Sequence, residues 1–483
     1  MAFFRPPLLA CLLAAGLSPV AFADEGEVNA PAPDAEEAAA EAEGAPTEAD
    51  APPAQAGEEA ADADVFKPVG FGGLPALNYN SDEGFGYGVI GRVFWYDQDK
   101  MDVQPYSKRL TLRIFLTTKW IQSHMVELDA LDFMGLPLRL RVRGTYYTTV
   151  VENFCGPAQQ ADCDFVGAQT AAVDYFDDVA TVEDLSPYLD PEDPTRLTSD
   201  TSGFSAEEQE VYDYLRLYYK QRYREPYLWI DTRTKVKELP NKVEVMASWR
   251  GSYYQQGTRK EPTDYPGSLL TDYPAYQSAG LASVLQAGIM LDNRDFEASP
   301  TRGYWIEASG RVSHRYIGSN WDYVGANLTL RGYQGLLPEG RLVLAEQATL
   351  DGAWGDLPAN EMARVGGSQI ITGWGGQYFG RGIRSNRYLG RAKAASQTEL
   401  RLNLGRLDAG TQRFDFGVLG FADLGVVAVD WSDLKGTSSG LIPGVGGGFR
   451  FAWNRNFIVR LDVGFSPVEE WGPRVYINLD HIF

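Results

Sequence analysis

Two cysteines, a Ser-His pair, a glycine run and a dense set of carboxylates are the residues of this 483-residue chain whose types could carry chemistry. Cys155 and Cys163 have seven residues between them in a loop-like stretch. In an oxidising compartment that spacing suits one local disulfide. A metal pair would need a third nitrogen or sulfur ligand nearby, and the three His and three Cys are scattered. Ser123-His124 would suggest a hydrolase only with an assignable Asp partner; without one the histidine is an ordinary strand side chain. His314, beside Arg311 and Arg315, is a strand-end residue. Gly444-Val445-Gly446-Gly447-Gly448 is followed by a strand rather than a helix, so it is not a nucleotide loop. Its glycines permit curvature or close strand approach. The acidic stretch 152–213 lacks the regular spacing of a calcium loop. No catalytic residue, metal or cofactor is expected, and the chain is not expected to be an enzyme.

The charge sorts by position. The formal net charge is -22, but residues 24–64 carry 14 Asp or Glu with no Lys or Arg, and 152–213 carry 16 against one Arg. The rest of the chain is mildly basic. Overall acidity disfavours a nucleic-acid partner. At the N-terminus, Arg5 precedes the apolar stretch Leu8 to Val20, and Ala21-Phe22-Ala23 supplies a small-x-small cleavage pattern. Residues 1–23 are expected to be a signal peptide, and 24–65, rich in Ala, Pro and Glu, a disordered tether unable to bury enough apolar surface to order itself.

The elements that must position everything else lie from Phe66 to the end, where no amphipathic helix of useful length is expected. Segments of about ten residues alternate instead. In LRLRVRGTY, Leu138, Leu140, Val142 and Tyr146 oppose Arg139, Arg141, Arg143 and Thr145; in FIVRLDVGF, Phe457, Val459, Leu461, Val463 and Phe465 oppose Arg460 and Asp462. Period-two alternation means strands with one apolar and one polar face. A polar face rich in Arg, with aromatic clusters at strand ends (Trp95-Tyr96, Trp120, Tyr146-Tyr147, Trp471), marks a membrane barrel with a wet lumen. A mean hydropathy of -0.27 fits strands with a single lipid-facing side.

The pattern predicts an all-β, 16-stranded antiparallel transmembrane β-barrel over 66–483. Strands are placed at 73–80, 84–97, 107–118, 122–133, 137–150, 226–238, 241–256 and 281–292. The second eight are at 303–315, 321–335, 341–353, 396–407, 413–427, 441–453, 457–467 and 473–483. With both ends periplasmic, the short connections at 134–137, 239–241, 336–340 and 454–456 share that side, and the long ones, 151–225, 257–280 and 354–395, fall outside. The acidic part of 151–225 is expected to be a solvated surface loop, and Tyr212 to Tyr227 a helix or strand returning to the membrane. The last strand puts Val475, Ile477, Leu479, His481 and Phe483 on one face, and a terminal Phe resembles the assembly signal of bacterial outer-membrane barrels.

Three local motifs resemble the barrel of the bacterial surface antigen superfamily, the family of the BamA and TamA assembly factors and two-partner secretion transporters. Leu291-Asp292-Asn293-Arg294-Asp295 with Ser299-Pro300-Thr301-Arg302-Gly303 is similar to the family's D-x-R-D…P-x-x-G turn. Phe421-Ala422-Asp423-Leu424-Gly425 is similar to its F-x-D-x-G strand motif. Gly380-Arg381-Gly382-Ile383-Arg384, followed by Gln397-Thr398-Glu399-Leu400-Arg401, is similar to the inward-folded loop whose tip carries Arg-Gly-Phe or Arg-Gly-Tyr; Ile383 stands for the aromatic. The resemblance implies that loop 354–395 folds inward and that Arg381, next to Gly382, pairs with Asp423 and Glu399 to gate the lumen. It implies a barrel of the bacterial outer membrane, in contact with its lipids, that assembles or translocates an unfolded protein or lipid client. Family members with periplasmic polypeptide-transport-associated domains capture clients there. Here an acidic tether precedes the barrel, so a periplasmic partner protein, the tether, or nothing takes that part. The alternatives are a passive channel with a lumen-plugging loop, its arginines favouring anions, and a surface antigen acting through its loops.

Overall fold

The computed structural model describes residues 68–483 apart from 81–83, 98–105, 155, 157–164, 192–193, 195–196, 237–242, 259–267, 274–275, 277–278, 369–373, 386, 411, 435–439, 454–456 and 480. The leader, the tether and the Cys155–Cys163 pair lie outside the described residues.

Sixteen strands follow one another in a single antiparallel sheet, each paired with its neighbour in sequence. They are β1 (Val69–Asn80), β2 (Gly84–Trp95), β3 (Lys108–Thr117), β4 (Gln122–Ala130), β5 (Leu138–Asn153), β6 (Lys220–Lys235), β7 (Val243–Thr258) and β8 (Ala279–Asp292). The second half is β9 (Gly303–Ser313), β10 (Tyr323–Gly335), β11 (Leu342–Gly355), β12 (Ala392–Ala409), β13 (Gln412–Ala428), β14 (Ile442–Trp453), β15 (Phe457–Phe465) and β16 (Arg474–Leu479). β1 comes alongside β16, so the sheet curls into a nearly closed barrel. The sequence places all sixteen.

Alternation sets the two faces. Along β10, Asn327, Thr329 and Arg331 are buried toward the interior, while Val324 and Leu330 are exposed on the outside. The same holds on β3, where Leu110, Leu112 and Ile114 point out. An apolar exterior around a polar interior inverts the ordinary globular arrangement and is what a membrane-spanning barrel requires. Exposed Trp120, Trp354 and Trp471 sit at the end with the long connections. His124 lies flat against Tyr146, ring centroids 6.1 Å apart, on a strand surface.

The turn between β8 and β9 is built on Asp295. Its carboxylate accepts from the backbone N–H of Phe296, Thr301 and Arg302 at 2.9, 2.9 and 3.2 Å. Gly303 closes it at φ +101°, where a Cβ would fall 2.1 Å from the Asn293 carbonyl oxygen, so only glycine fits.

Two departures from the alternation matter. Strand β16 is the shortest, and the chain leaves the sheet after Leu479. His481, Ile482 and Phe483 do not extend it on the outer face; Ile482 and Phe483 are buried inside with Tyr333 and Ala345. There the Phe483 ring lies 5.2 Å from the Arg401 guanidinium, which donates to the Phe483 main-chain oxygen at 2.8 Å. Inward capture of an aromatic by a lumen arginine outweighs two more rungs of ladder.

The second departure is connection 151–225, which is not a plain solvated loop. It folds two helices, α1 (Phe165–Tyr175) and α2 (Ala206–Leu217), around Ala168, Ala172, Leu185, Val211, Tyr214 and Leu215. Ser205 caps α2 and Glu208 bonds back, a capping box followed by apolar residues at helical spacing. The Ser-x-x-Glu signal is present in the sequence, hidden by the surrounding charge.

Candidate functional site

Connection 354–395 runs inward, and three groups of contacts hold it. The innermost is the tip. Arg381 is fully buried, its Nε and Nη2 donating to the two oxygens of Asp423 at 3.0 and 2.8 Å. Its backbone N–H adds a third bond to Asp423 at 2.9 Å, and Nη1 donates to Glu399 at 2.7 Å. Asp462 lies 3.5 Å from Nη1, and the guanidinium sits 3.5 Å above the Phe421 ring. A planar fork meeting a carboxylate edge-on, over an aromatic face, uses every property that separates Arg from Lys. Burial alone would lower the Arg381 pKa, but Asp423 and Glu399 hold it above its ordinary value.

Alternating strands explain why these groups converge. Glu399 on β12, Asp423 on β13 and Asp462 on β15 are inward positions, and Arg401 and Arg450 flank them at 2.8 and 2.5 Å from Glu399 and Asp462. Glycines make room for the tip. A Cβ at Gly444 would meet the Arg381 carbonyl oxygen at 2.2 Å, and one at Gly464 the Gly382 nitrogen at 2.6 Å. Gly382 itself adopts φ +98° with Phe465 backbone 2.5 Å from its virtual Cβ, and its N–H donates to the Tyr476 hydroxyl at 3.0 Å. Ile383 is buried with Trp374, Phe379, Tyr388, Val427 and Ile442, so an aliphatic occupies the position of the family's aromatic.

A second group lies where the connection leaves β11, in the short helix α3 (Ala359–Ala363) and the residues after it. Glu361 accepts from Arg250 of β7 at 2.6 Å, and Arg364 grips both oxygens of Glu225 on β6. The Gly366 N–H donates to Asp351 at 2.7 Å, the same carboxylate that Arg311 clamps at 2.8 and 2.9 Å. Ser368 donates its N–H to Glu307 and receives Arg141 and Arg233 on its carbonyl. Burial would raise the Glu361 carboxyl, but Arg250 and Arg364 bring it down to about 2. The third group joins Arg384 and Arg387 to Glu469, between β15 and β16, at 3.0 and 2.8 Å.

The structure thus brings together Arg381, Gly382, Asp423 and Glu399. Sequence reasoning missed Glu225, Arg250, Glu361, Arg364, Asp351, Glu307 and Glu469. Asp351 follows from β11 alternation, but residues of an irregular connection carry no period, and nothing local marks Glu361 or Arg364. No group of His, Cys, Asp and Glu among the described residues could hold a metal ion. His314 accepts a hydrogen bond from the Tyr316 N–H at 3.1 Å in a turn.

A 16-stranded barrel with an apolar exterior, whose longest inward connection is fastened by a buried arginine to its own wall, is a transmembrane β-barrel with an occupied lumen. The chain belongs to the Omp85 superfamily, whose domain matches residues 184–477. Among solved structures it is similar to BamA from Haemophilus ducreyi lacking POTRA domains 1–3, at 11% identity and a TM-score of 0.43, over 86% of this chain and 69% of that one. It is also similar to CdiB from Escherichia coli (9% identity, TM-score 0.49, 85% of this chain and 62% of that one). CdiB from Acinetobacter baumannii is similar at 13% identity and a TM-score of 0.43, over 86% of this chain and 60% of that one. The chain therefore spans less than two thirds of the CdiB structures. No curated protein sequence matches it.

Proposed function

We propose that this chain works in the bacterial outer membrane as an assembly or translocation barrel for a protein or lipid client, with connection 354–395 as the element that closes the lumen. Membership of the Omp85 superfamily, whose barrels act in outer-membrane assembly and transport, supports the client-handling part. In this reading the long connections face the cell exterior and the short turns the periplasm, and a periplasmic partner delivers the client.

The observation that carries the closing role is the fully buried Arg381 with Asp423 and Glu399. A charged pair of this kind is costly to form halfway: the arginine left without its carboxylates would be an uncompensated buried charge. The connection is therefore held in one seated arrangement or released as a whole. In planar bilayers Arg381→Ala is expected to open larger or more frequent conductance steps, and to expose the connection to added protease. Unchanged conductance together with unchanged protection rejects the closing role. For client handling, crosslinking in intact cells should trap an outer-membrane protein or lipid in the lumen. Open pores without any trapped client would mark a passive channel.

A further inference from the structure

The seated connection fills the lumen unevenly. On the β2–β6 side it leaves a cavity of about 590 Å3, and among the described residues the lining holds eleven arginines against three glutamates. Pairing accounts for most of this charge. Arg109 and Arg139 hold Asp129 at 3.4 and 2.7 Å, Arg143 and Arg109 hold Glu127 at 2.6 and 3.1 Å, and Arg139 also reaches Glu297 at 2.8 Å. Arg141 and Arg233 share the single carboxylate of Asp231, at 2.6 and 3.1 Å. Arg113 donates to the Ser123 hydroxyl at 2.9 Å; its buried Nε has no hydrogen-bond partner, and no carboxylate pairs with it among the described residues. With Arg364, which Glu225 of β6 holds, seven guanidiniums on this side of the lumen therefore face five carboxylates.

Trp229 holds this shelf in place. It is buried, with Arg141 and Arg143 stacked 4.8 and 5.1 Å from its ring, so the forks cannot fold away from the cavity. Elsewhere the lining changes character. Phe115, Ile121 and Met125 contribute apolar surface. So do Val475 and Ile477 of β16, which are exposed on the outer face of the barrel. The cavity thus continues from the arginines to the exterior aliphatic surface where the short β16 meets β1.

We propose that this cavity binds an amphipathic anion: a phosphate group on the arginine shelf and an acyl chain along the β1–β16 seam. Two unmatched guanidinium charges fit a phosphate, whose oxygens accept several forked donors, better than a lone carboxylate. The continuous aliphatic wall selects a lipid over a small ion. The inference does not depend on which client the barrel handles.

The test is native mass spectrometry of the full-length protein in a zwitterionic detergent, titrated separately with phosphatidylglycerol, phosphatidylcholine and inorganic phosphate. Phosphatidylglycerol is expected to saturate at one molecule per chain. Arg113→Gln and Arg233→Gln should each weaken it by about tenfold or more, the scale of one charge-assisted hydrogen bond. Phosphatidylcholine and inorganic phosphate should each bind at least about tenfold more weakly than phosphatidylglycerol. Equal retention of the two lipids, or equal phosphatidylglycerol affinity in wild type and both variants, overturns the proposal. Inorganic phosphate binding as tightly as the lipid overturns the amphiphile and leaves a small-anion site. Heat-modifiable gel mobility reports folding of each variant, and Arg113→Gln strips no carboxylate of its partner.

Discussion

The two sides of the seated connection use arginine to different ends. Toward β12, β13 and β15, Arg381 has three carboxylates within 3.5 Å, no exposed surface and a path that glycines keep clear. Toward β3, β5 and β6 the same residue type outnumbers its carboxylates and borders open space. Both sides hold more guanidiniums than carboxylates, since Arg381, Arg401, Arg450 and Arg460 share Glu399, Asp423 and Asp462; what separates them is that only the surplus on β3, β5 and β6 borders the cavity. Composition alone cannot separate the two roles, since both use the same residue type facing the same lumen.

The comparison breaks most visibly on the enclosed side. Asp423→Ala removes the carboxylate that accepts three bonds from Arg381 and leaves the guanidinium buried with Glu399 as its nearest partner. Loss of one member of a buried pair costs about 3–5 kcal/mol. The variant is expected to unfold at lower urea, followed by gel mobility, and to lose protease protection at 374–388. A cost below about 1 kcal/mol, with protection kept, would remove the distinction between the two sides.

A second, smaller effect concerns pH. Glu361 has its carboxyl lowered from 4.5 to about 2 by Arg250 and Arg364, against the opposing effect of burial. A carboxyl depressed by folding contributes stability that is complete above its unfolded value near 4.5 and is lost as pH falls through about 2. Protease protection of the connection should therefore be level from neutral pH down to about 4.5 and decline below it. In Glu361→Gln that decline should be shallower. A decline centred near neutrality would mean that histidines, not this carboxylate, set the seat.

Legibility in the sequence followed regularity. All sixteen strands were visible, because each repeats a two-residue period against an apolar exterior, and turns such as Asp295 to Gly303 carry their own hydrogen-bonding residues. Arg381, Asp423 and Glu399 were legible through motif likeness, two of them also as inward positions of strands. What stayed hidden depended on tertiary contact. Phe483 turns inward because Arg401 and Tyr333, both distant in sequence, receive it. Arg364 reaches Glu225 across 139 positions, and no periodicity links them. Helix α2 lay behind acidic composition although its capping box was present.

The smallest expected effect is the one that sharpens the comparison furthest. Arg113→Gln keeps a donor able to reach the Ser123 hydroxyl and removes a charge that no carboxylate balances among the described residues. If lumen arginines were all structural, this change would destabilise the barrel as the loss of any buried polar contact does. If Arg113 belongs to a surplus, relief of like-charge repulsion offsets the weaker hydrogen bond that the neutral amide makes. The urea midpoint should then move by less than the equivalent of about 0.5 kcal/mol in either direction. Salt supplies the second arm. Added sodium chloride screens an unpaired charge bordering a wet cavity more than a fully buried pair, so raising it should stabilise wild type slightly and Arg113→Gln not at all. A midpoint lowered as far as by Asp423→Ala would place Arg113 among the structural arginines and leave the two sides of the lumen alike.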